Sequence, residues 1–260
     1  MRRARTPKPP ILMVHGGFSG AWTFDLFRQP FEAAGHAVSA IDLPGHAPGV
    51  SRGAVAGQSL TDYVRALGEA IAVQPAPPVL LGHSMGGLVA QLAAVRTPLP
   101  GLILLAPSPP WGVAATSPEE LMCAFGAAGL GMTSPVIEPQ VGPLSRWMLG
   151  DLAPVDRKAV EARLQSESGR ALMETLAWGL DPFATSLVPR GGVRAPVLAF
   201  AGERDPLHPP ATVRAVVERI GGELRVVPGA GHWLPRIPTW EGLAAESIDW
   251  IAALETRPAA

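Results

Sequence analysis

The sequence predicts an α/β fold, a mostly parallel, doubly wound sheet with an all-helical segment inserted part-way along the chain. Three observations carry that prediction. Short apolar runs bounded by Gly or Pro alternate with stretches of helical periodicity, the pattern of buried parallel strands joined by crossover helices. The alternation breaks between Pro107 and Pro189, where no convincing strand occurs, and then resumes. Finally, 260 residues of which 47% are hydrophobic suffice for one large core without disulfides or metals.

In chain order, the expected strands are residues 11–14, 37–41, 79–81, 102–105, 197–201 and 224–227. Helical spacing of apolar residues follows at 24–34. Ser59 and Asp62 have the spacing of a capping box, opening a helix to about residue 72. Residues 85–95, 212–220 and 240–254 complete the core helices. The inserted segment holds helical stretches at 119–128, 143–149, 156–165 and 170–179. Ser117-Pro118-Glu119-Glu120 is a helix start, with proline at the first position and acids near the positive end. The core is therefore expected at 1–106 and 190–260, and a helical cap at 107–189.

Composition narrows the class. Gly and Pro number 29 each, but a 47% hydrophobic content and a net charge of −1 exclude a disordered chain. Near-neutral charge gives no bulk attraction for nucleic acid or anionic lipid. A single cysteine, Cys123, excludes an intrachain disulfide and a Cys-based zinc site, and reads as a small core residue. Residues 70–95 and 97–118 lack Asp, Glu, Lys and Arg but are interrupted by prolines, which argues against membrane spans. The apolar run after the basic N-terminus is too short for a signal-peptide core, so a cytoplasmic protein is expected, with no nucleic-acid or membrane partner. Oligomeric state is not readable.

The strongest chemical signal is G-x-S-x-G at Gly82-His83-Ser84-Met85-Gly86. The bare pattern is common, but here an apolar strand precedes it and a helix follows. Such a turn lifts the serine hydroxyl above the sheet, and glycines are needed where backbones crowd. A hydroxyl needs a base, and with this elbow the expected order is serine, acid, histidine. Of the six histidines only His208 and His232 follow Ser84. His232 lies in the Gly-rich turn Pro228-Gly-Ala-Gly-His-Trp233, and His208 reads as a loop residue near the acid. Asp205, directly after a strand, is the expected acid, with Glu203 as its competitor. Two N–H donors must face the developing oxyanion. They are assigned to Met85, after the nucleophile, and Gly17, in the His15-Gly-Gly-Phe18 loop. His15 is expected to buttress that loop, and Phe18 either lines the pocket or packs.

Taken in order, HGG, GHSMGG, GERD and GHW resemble the α/β-hydrolase superfamily, in the serine-nucleophile branch with a helical cap after the sixth strand. The resemblance covers residues 9–254. It implies an eight-stranded, mostly parallel sheet with the triad Ser84, Asp205 and His232 at the carboxyl ends of the strands. The first two of those strands are not evident, so a truncated antiparallel edge is expected. Carboxylic ester hydrolysis through an acyl-enzyme is the implied reaction, with no cofactor or metal and a small-molecule substrate.

Rival readings are weaker. Residues 11–42 mimic a dinucleotide-binding unit, but His15 stands where the tight-turn glycine belongs. A catalytically inactive relative would be expected to lack a triad member. Residues 14–44 resemble plant-type esterases and hydroxynitrile lyases. The lyases use a lysine near the catalytic histidine, and the only lysines here are Lys8 and Lys158. Lactones, thioesters and C–C bonds of ring-fission products would use the same triad. The last of these call for a pocket arginine, which Arg146, Arg157, Arg163, Arg170 or Arg190 could supply. Trp111, Trp147 and Trp178 of the cap, with its methionines, either line an apolar acyl or aryl pocket of modest size or pack the cap on the core; Phe18, Trp111, Trp147 and Trp233 are the expected pocket residues.

Overall fold

The computed structural model describes residues 7–139 and 143–255. Its centre is a six-stranded, wholly parallel sheet of β1 (Ile11–Val14), β2 (Val38–Ile41), β3 (Val79–His83), β4 (Leu102–Leu105), β7 (Val197–Gly202) and β8 (Glu223–Val227), in the order β2-β1-β3-β4-β7-β8. All six expected strands form, and β2 and β8 are the edge strands of the described sheet. Reversal of strand order beside β1 and β3 opens a crevice at their carboxyl ends, where ligands bind in open α/β sheets.

Strand alternation builds two cores. Leu12, Val14, Leu80, Leu102, Leu104 and Ala199 face one side, covered by α2 (Leu60–Ala72), α3 (Met85–Arg96) and α8 (Pro210–Ile220). Ile11, Met13, Leu81, Ile103, Leu105 and Phe200 face the other, covered by α1 (Asp25–Ala33) and α9 (Trp240–Glu255). Two-sided burial explains why the four central strands, β1, β3, β4 and β7, read as apolar runs, whereas β2 is half-buried and β8 is partly exposed. The capping box forms: Ser59 Oγ accepts from Asp62 N–H at 3.2 Å, and Asp62 accepts from Ser59 N–H at 3.0 Å.

Between β4 and β7 lie α4 (Pro118–Thr133), α5 (Pro143–Met148), α6 (Pro154–Glu161) and α7 (Gly169–Leu176). Among the described residues of the insertion, the only strands are one short antiparallel pair, β5 (Val136–Ile137) with β6 (Glu167–Ser168). Two-residue strands have no periodicity, which is why the sequence did not disclose them. The side chain of Cys123 lies outside the described residues.

Candidate active site

Ser84 sits between β3 and α3 with φ 51° and ψ −122°, a left-handed backbone that a non-glycine residue holds only when its surroundings impose it. The neighbouring glycines are what permit the turn. A Cβ on Gly82 would lie 2.6 Å from the Gly86 carbonyl oxygen, and one on Gly86 would run into the carbonyl oxygens of Val14 and His15. Extending β3 to His83 pins the turn, because Ser84 N–H donates to Leu105 O at 3.0 Å.

The three residues expected to act together converge from 148 positions of chain. His232 Nε2 lies 2.9 Å from Ser84 Oγ, and His232 Nδ1 lies 2.9 Å from Asp205 Oδ2. The other oxygen, Oδ1, accepts from the N–H groups of Leu207 and His208 at 2.8 and 3.0 Å. Burial alone would raise the Asp205 carboxyl, but the His232 charge and these hydrogen bonds outweigh it and hold it below its ordinary value. Asp205 is therefore an anion facing His232 Nδ1, with His232 Nε2 turned to Ser84 Oγ. Glu203 is exposed and its carboxylate accepts from Gly229 N–H at 2.8 Å, away from His232.

Two histidines outside the Ser84–His232–Asp205 chain hold the frame. Burial and the neighbouring His46 push His15 down to about 3. As a neutral ring it donates from Nδ1 to Gly16 O at 2.8 Å and accepts Leu43 N–H on Nε2 at 2.9 Å. That is the buttress its sequence position suggests. Burial and His232 likewise push His83 down to about 3, and its Nε2–H donates to the His232 carbonyl at 3.1 Å. His83 thus steadies the loop carrying the base, a role that its place as a variable position in the elbow gave no reason to expect.

Gly17 and Met85 both border the cavity above Ser84, and neither N–H donates to a protein acceptor among the described residues. Beside them Phe18 also has positive φ, 60°, and is clamped by the insertion. Its N–H donates to Glu167 Oε2 at 3.2 Å, and its carbonyl accepts from Gln165 N–H at 2.8 Å. Glu167 is fully buried. Its Oε1 accepts from Tyr63 O–H at 2.6 Å and from Ser168 N–H at 2.7 Å, and Oε2 lies 3.1 Å from His46 Nε2. Glu167 and His46 thus form a fully buried ion pair. Burial opposes both charges, yet each partner's charge prevails: Glu167 stays below its ordinary value and His46 above its own. No sequence motif marks Glu167, whose partners are 104 and 149 residues away.

The cavity over Ser84 measures about 60 Å³, room for a few waters, and is walled on the insertion side by Met148, Leu172, Thr175 and Leu176. Phe18 lines it. Trp111, Trp147 and Trp233 do not, which corrects the pocket expected from composition. Trp233 is a core residue, 2% exposed and stacked on Trp22 at 6.0 Å. Trp147 packs on the same core, and Trp111 pairs with Trp178 at the surface. None of Arg146, Arg157, Arg163, Arg170 and Arg190 lines the cavity. Arg163 pairs with Asp25, Arg170 with Glu174, and Arg157 donates to the carbonyls of Leu149 and Gly150. A larger, polar cleft of about 580 Å³ between residues 45–52 and 161–166 contains none of Ser84, Asp205 or His232. No group of three or more metal-ligating side chains occurs among the described residues. No described helix is long and apolar enough to cross a membrane.

Comparison with known proteins places this geometry. Over 88 residues the chain is 39% identical to methylesterase 7 of Arabidopsis thaliana, a match covering 32% of this chain and 33% of that protein. Over 233 residues it is 30% identical to the dihydrolipoyllysine-residue acetyltransferase component of the acetoin cleaving system of Pseudomonas putida, covering 86% of this chain and 58% of that one. The chain thus spans between a third and three-fifths of the length of these curated relatives. A monoacylglycerol lipase of Paleococcus ferrophilus has the same fold, with a TM-score of 0.72 at 22% identity over 95% of this chain and 96% of that one. The family model described as "Alpha/beta hydrolase family" matches residues 11–246, from the first residue of β1 into α9. On that match the chain belongs to the alpha/beta hydrolase family.

Proposed function

We propose that this protein is a serine hydrolase of carboxylic esters, working through an acyl-enzyme with Ser84 as nucleophile, His232 as base and Asp205 as its orienting acid. The observation that carries the reading is the pair of 2.9 Å contacts linking Ser84 Oγ, His232 and Asp205 in sequence. His232 Nε2 takes the hydroxyl proton as Oγ attacks the ester carbonyl carbon. The Met85 and Gly17 N–H groups, uncommitted among the described residues, receive the oxyanion. Collapse of the tetrahedral intermediate expels the alcohol, which takes the proton from His232. Water, deprotonated by the same nitrogen, then attacks the acyl-enzyme and releases the acid and Ser84. No step calls on a metal or an organic cofactor. The esterase names among the matched relatives support this reading.

Segment 107–189 acts as the cap. A 60 Å³ cavity is too small for an ester, so binding requires the cap-side wall to yield, and flexible Met148 is suited to that. Lactones and thioesters fit the same machinery. Carboxylated ring-fission products fit less well, because no arginine lines the cavity. Turnover of p-nitrophenyl esters by wild type and Ser84→Ala is the test. Loss of activity by about a thousandfold or more is expected, and wild-type turnover in the variant would overturn the assignment.

A further inference from the structure

We propose that a second, smaller cavity beside the triad is a subsite for a substrate hydroxyl group, making the substrate a hydroxylated carboxylic ester; this rests on the ester-hydrolase reading above. The cavity measures about 20 Å³ and is bordered by Glu120 of α4 and His208 of the loop after β7. It adjoins the cavity over Ser84, sharing His208, Leu207 and Leu176 with it. The His208 ring lies 5.1 Å from that of His232.

Two buried polar atoms there have no hydrogen-bond partner among the described residues. Glu120 is 6% exposed and His208 2%. Glu120 Oε2 accepts from Thr116 N–H and from Thr212 Oγ1–H, both at 2.7 Å, which completes its part in starting α4. Its Oε1 has no hydrogen-bond partner, nor has His208 Nδ1, and the two face each other at 4.0 Å. Buried polar atoms left unpaired are costly and call for an occupant.

The chemistry of that occupant follows from the other ring nitrogen. His208 Nε2 lies 2.9 Å from Ser108 Oγ. If the ring donated there, the Nδ1 lone pair would face a carboxylate. The favourable tautomer has Ser108 O–H donating to Nε2 and the ring proton on Nδ1. The gap between Nδ1 and Oε1 then offers one donor and one acceptor. A single oxygen at about 2.8 Å from each bridges 4.0 Å with an angle of roughly 90°. A hydroxyl does this, accepting from Nδ1–H and donating to Oε1. An ammonium would meet the Nδ1 proton and a carboxylate would meet Glu120. The cavity holds about one such group. Its remaining wall includes Val113, Leu176, Leu207 and Trp178, so an isosteric methyl would leave both polar atoms unpaired.

The test compares isosteric ester pairs in which only one methyl is replaced by hydroxyl. On the alcohol side these are propyl butyrate and 2-hydroxyethyl butyrate. On the acyl side they are propyl 3-methylbutanoate and propyl 3-hydroxybutanoate. We expect wild type to prefer the hydroxyl member of one pair by about tenfold or more in kcat/KM. Glu120→Leu should collapse that ratio toward one, and Glu120→Gln, which keeps an acceptor, should retain part of it. A ratio measured within one variant is insensitive to the fraction folded. No preference in either pair, as for a cavity that holds only water, overturns the proposal, as does a preference that survives Glu120→Leu. Calorimetric binding of the intact esters to Ser84→Ala protein separates the two claims. Hydroxyl-selective binding without Ser84-dependent turnover would retain the subsite and refute the esterase reading. Ser84-dependent turnover without selectivity would do the reverse.

Discussion

Replacing Glu167 with glutamine should both destabilise the protein and slow its chemistry, because this one carboxylate ties the inserted segment to the loop beside Gly17. Its four neighbours are three donors, Phe18 N–H, Tyr63 O–H and Ser168 N–H, and the His46 ring. Glutamine keeps the shape but offers one acceptor oxygen instead of two. Whichever way the amide turns, its NH₂ faces a backbone N–H, of Phe18 or of Ser168. The loss combines a broken buried ion pair, about 3–5 kcal/mol, with an orphaned donor, about 1–3 kcal/mol. His46 can shed its proton once the carboxylate is gone, so the net loss should lie near the lower end, about 3 kcal/mol. For a chain of this size that corresponds to a fall of roughly 6–12 °C in Tm. Freed at its N–H, Phe18 relaxes from its positive φ and moves the adjacent Gly17 amide. Since losing an oxyanion donor outright costs about 10²–10³ in kcat, misplacing it should cost about 10–100-fold, with KM little changed. The pH dependence adds a signature. Glu167 is depressed, so its contribution is full above the ordinary carboxyl value of 4.5 and fades as pH falls through the folded value. His46 is raised, so its contribution is full below 6.5 and fades as pH rises through the folded value. The Tm difference between wild type and Glu167→Gln should therefore be largest between those two values. Melting by circular dichroism across pH, with p-nitrophenyl acetate kinetics, measures all three effects. Equal Tm and equal kcat would show that the clamp on Phe18 has no energetic or catalytic weight.

Two further outcomes follow from the elbow and the triad. Gly86→Ala should fail to accumulate as folded protein, because its Cβ meets backbone carbonyls that no rotamer change relieves; a soluble variant with wild-type melting would contradict the turn geometry. Asp205→Asn should fold but lose about 10⁴ in kcat, since an amide can hold His232 in the wrong tautomer, and a loss below tenfold would remove Asp205 from the mechanism.

Much of this architecture is written locally. The four central strands were legible because a strand buried on both faces must be a short apolar run, and the helices because one face must be apolar. Ser84 was legible because its strained turn requires glycines at fixed offsets, and His15 because it sits inside the loop it supports. The order serine, acid, histidine then left few residues to choose from. Tertiary structure alone decided what depends on contacts across the chain. Nothing in the neighbourhood of Glu167 says that it is buried against Phe18, 149 residues away, and nothing around His208 points to Ser108 and Glu120. The three tryptophans failed as pocket residues for the same reason. An aromatic side chain satisfies a core and a ligand pocket equally well, and only packing tells which it has joined. Periodicity and glycine placement are properties of neighbouring residues, which the sequence by itself determines. The burial of a charge, and the partner that makes it tolerable, are fixed only when distant segments close around it.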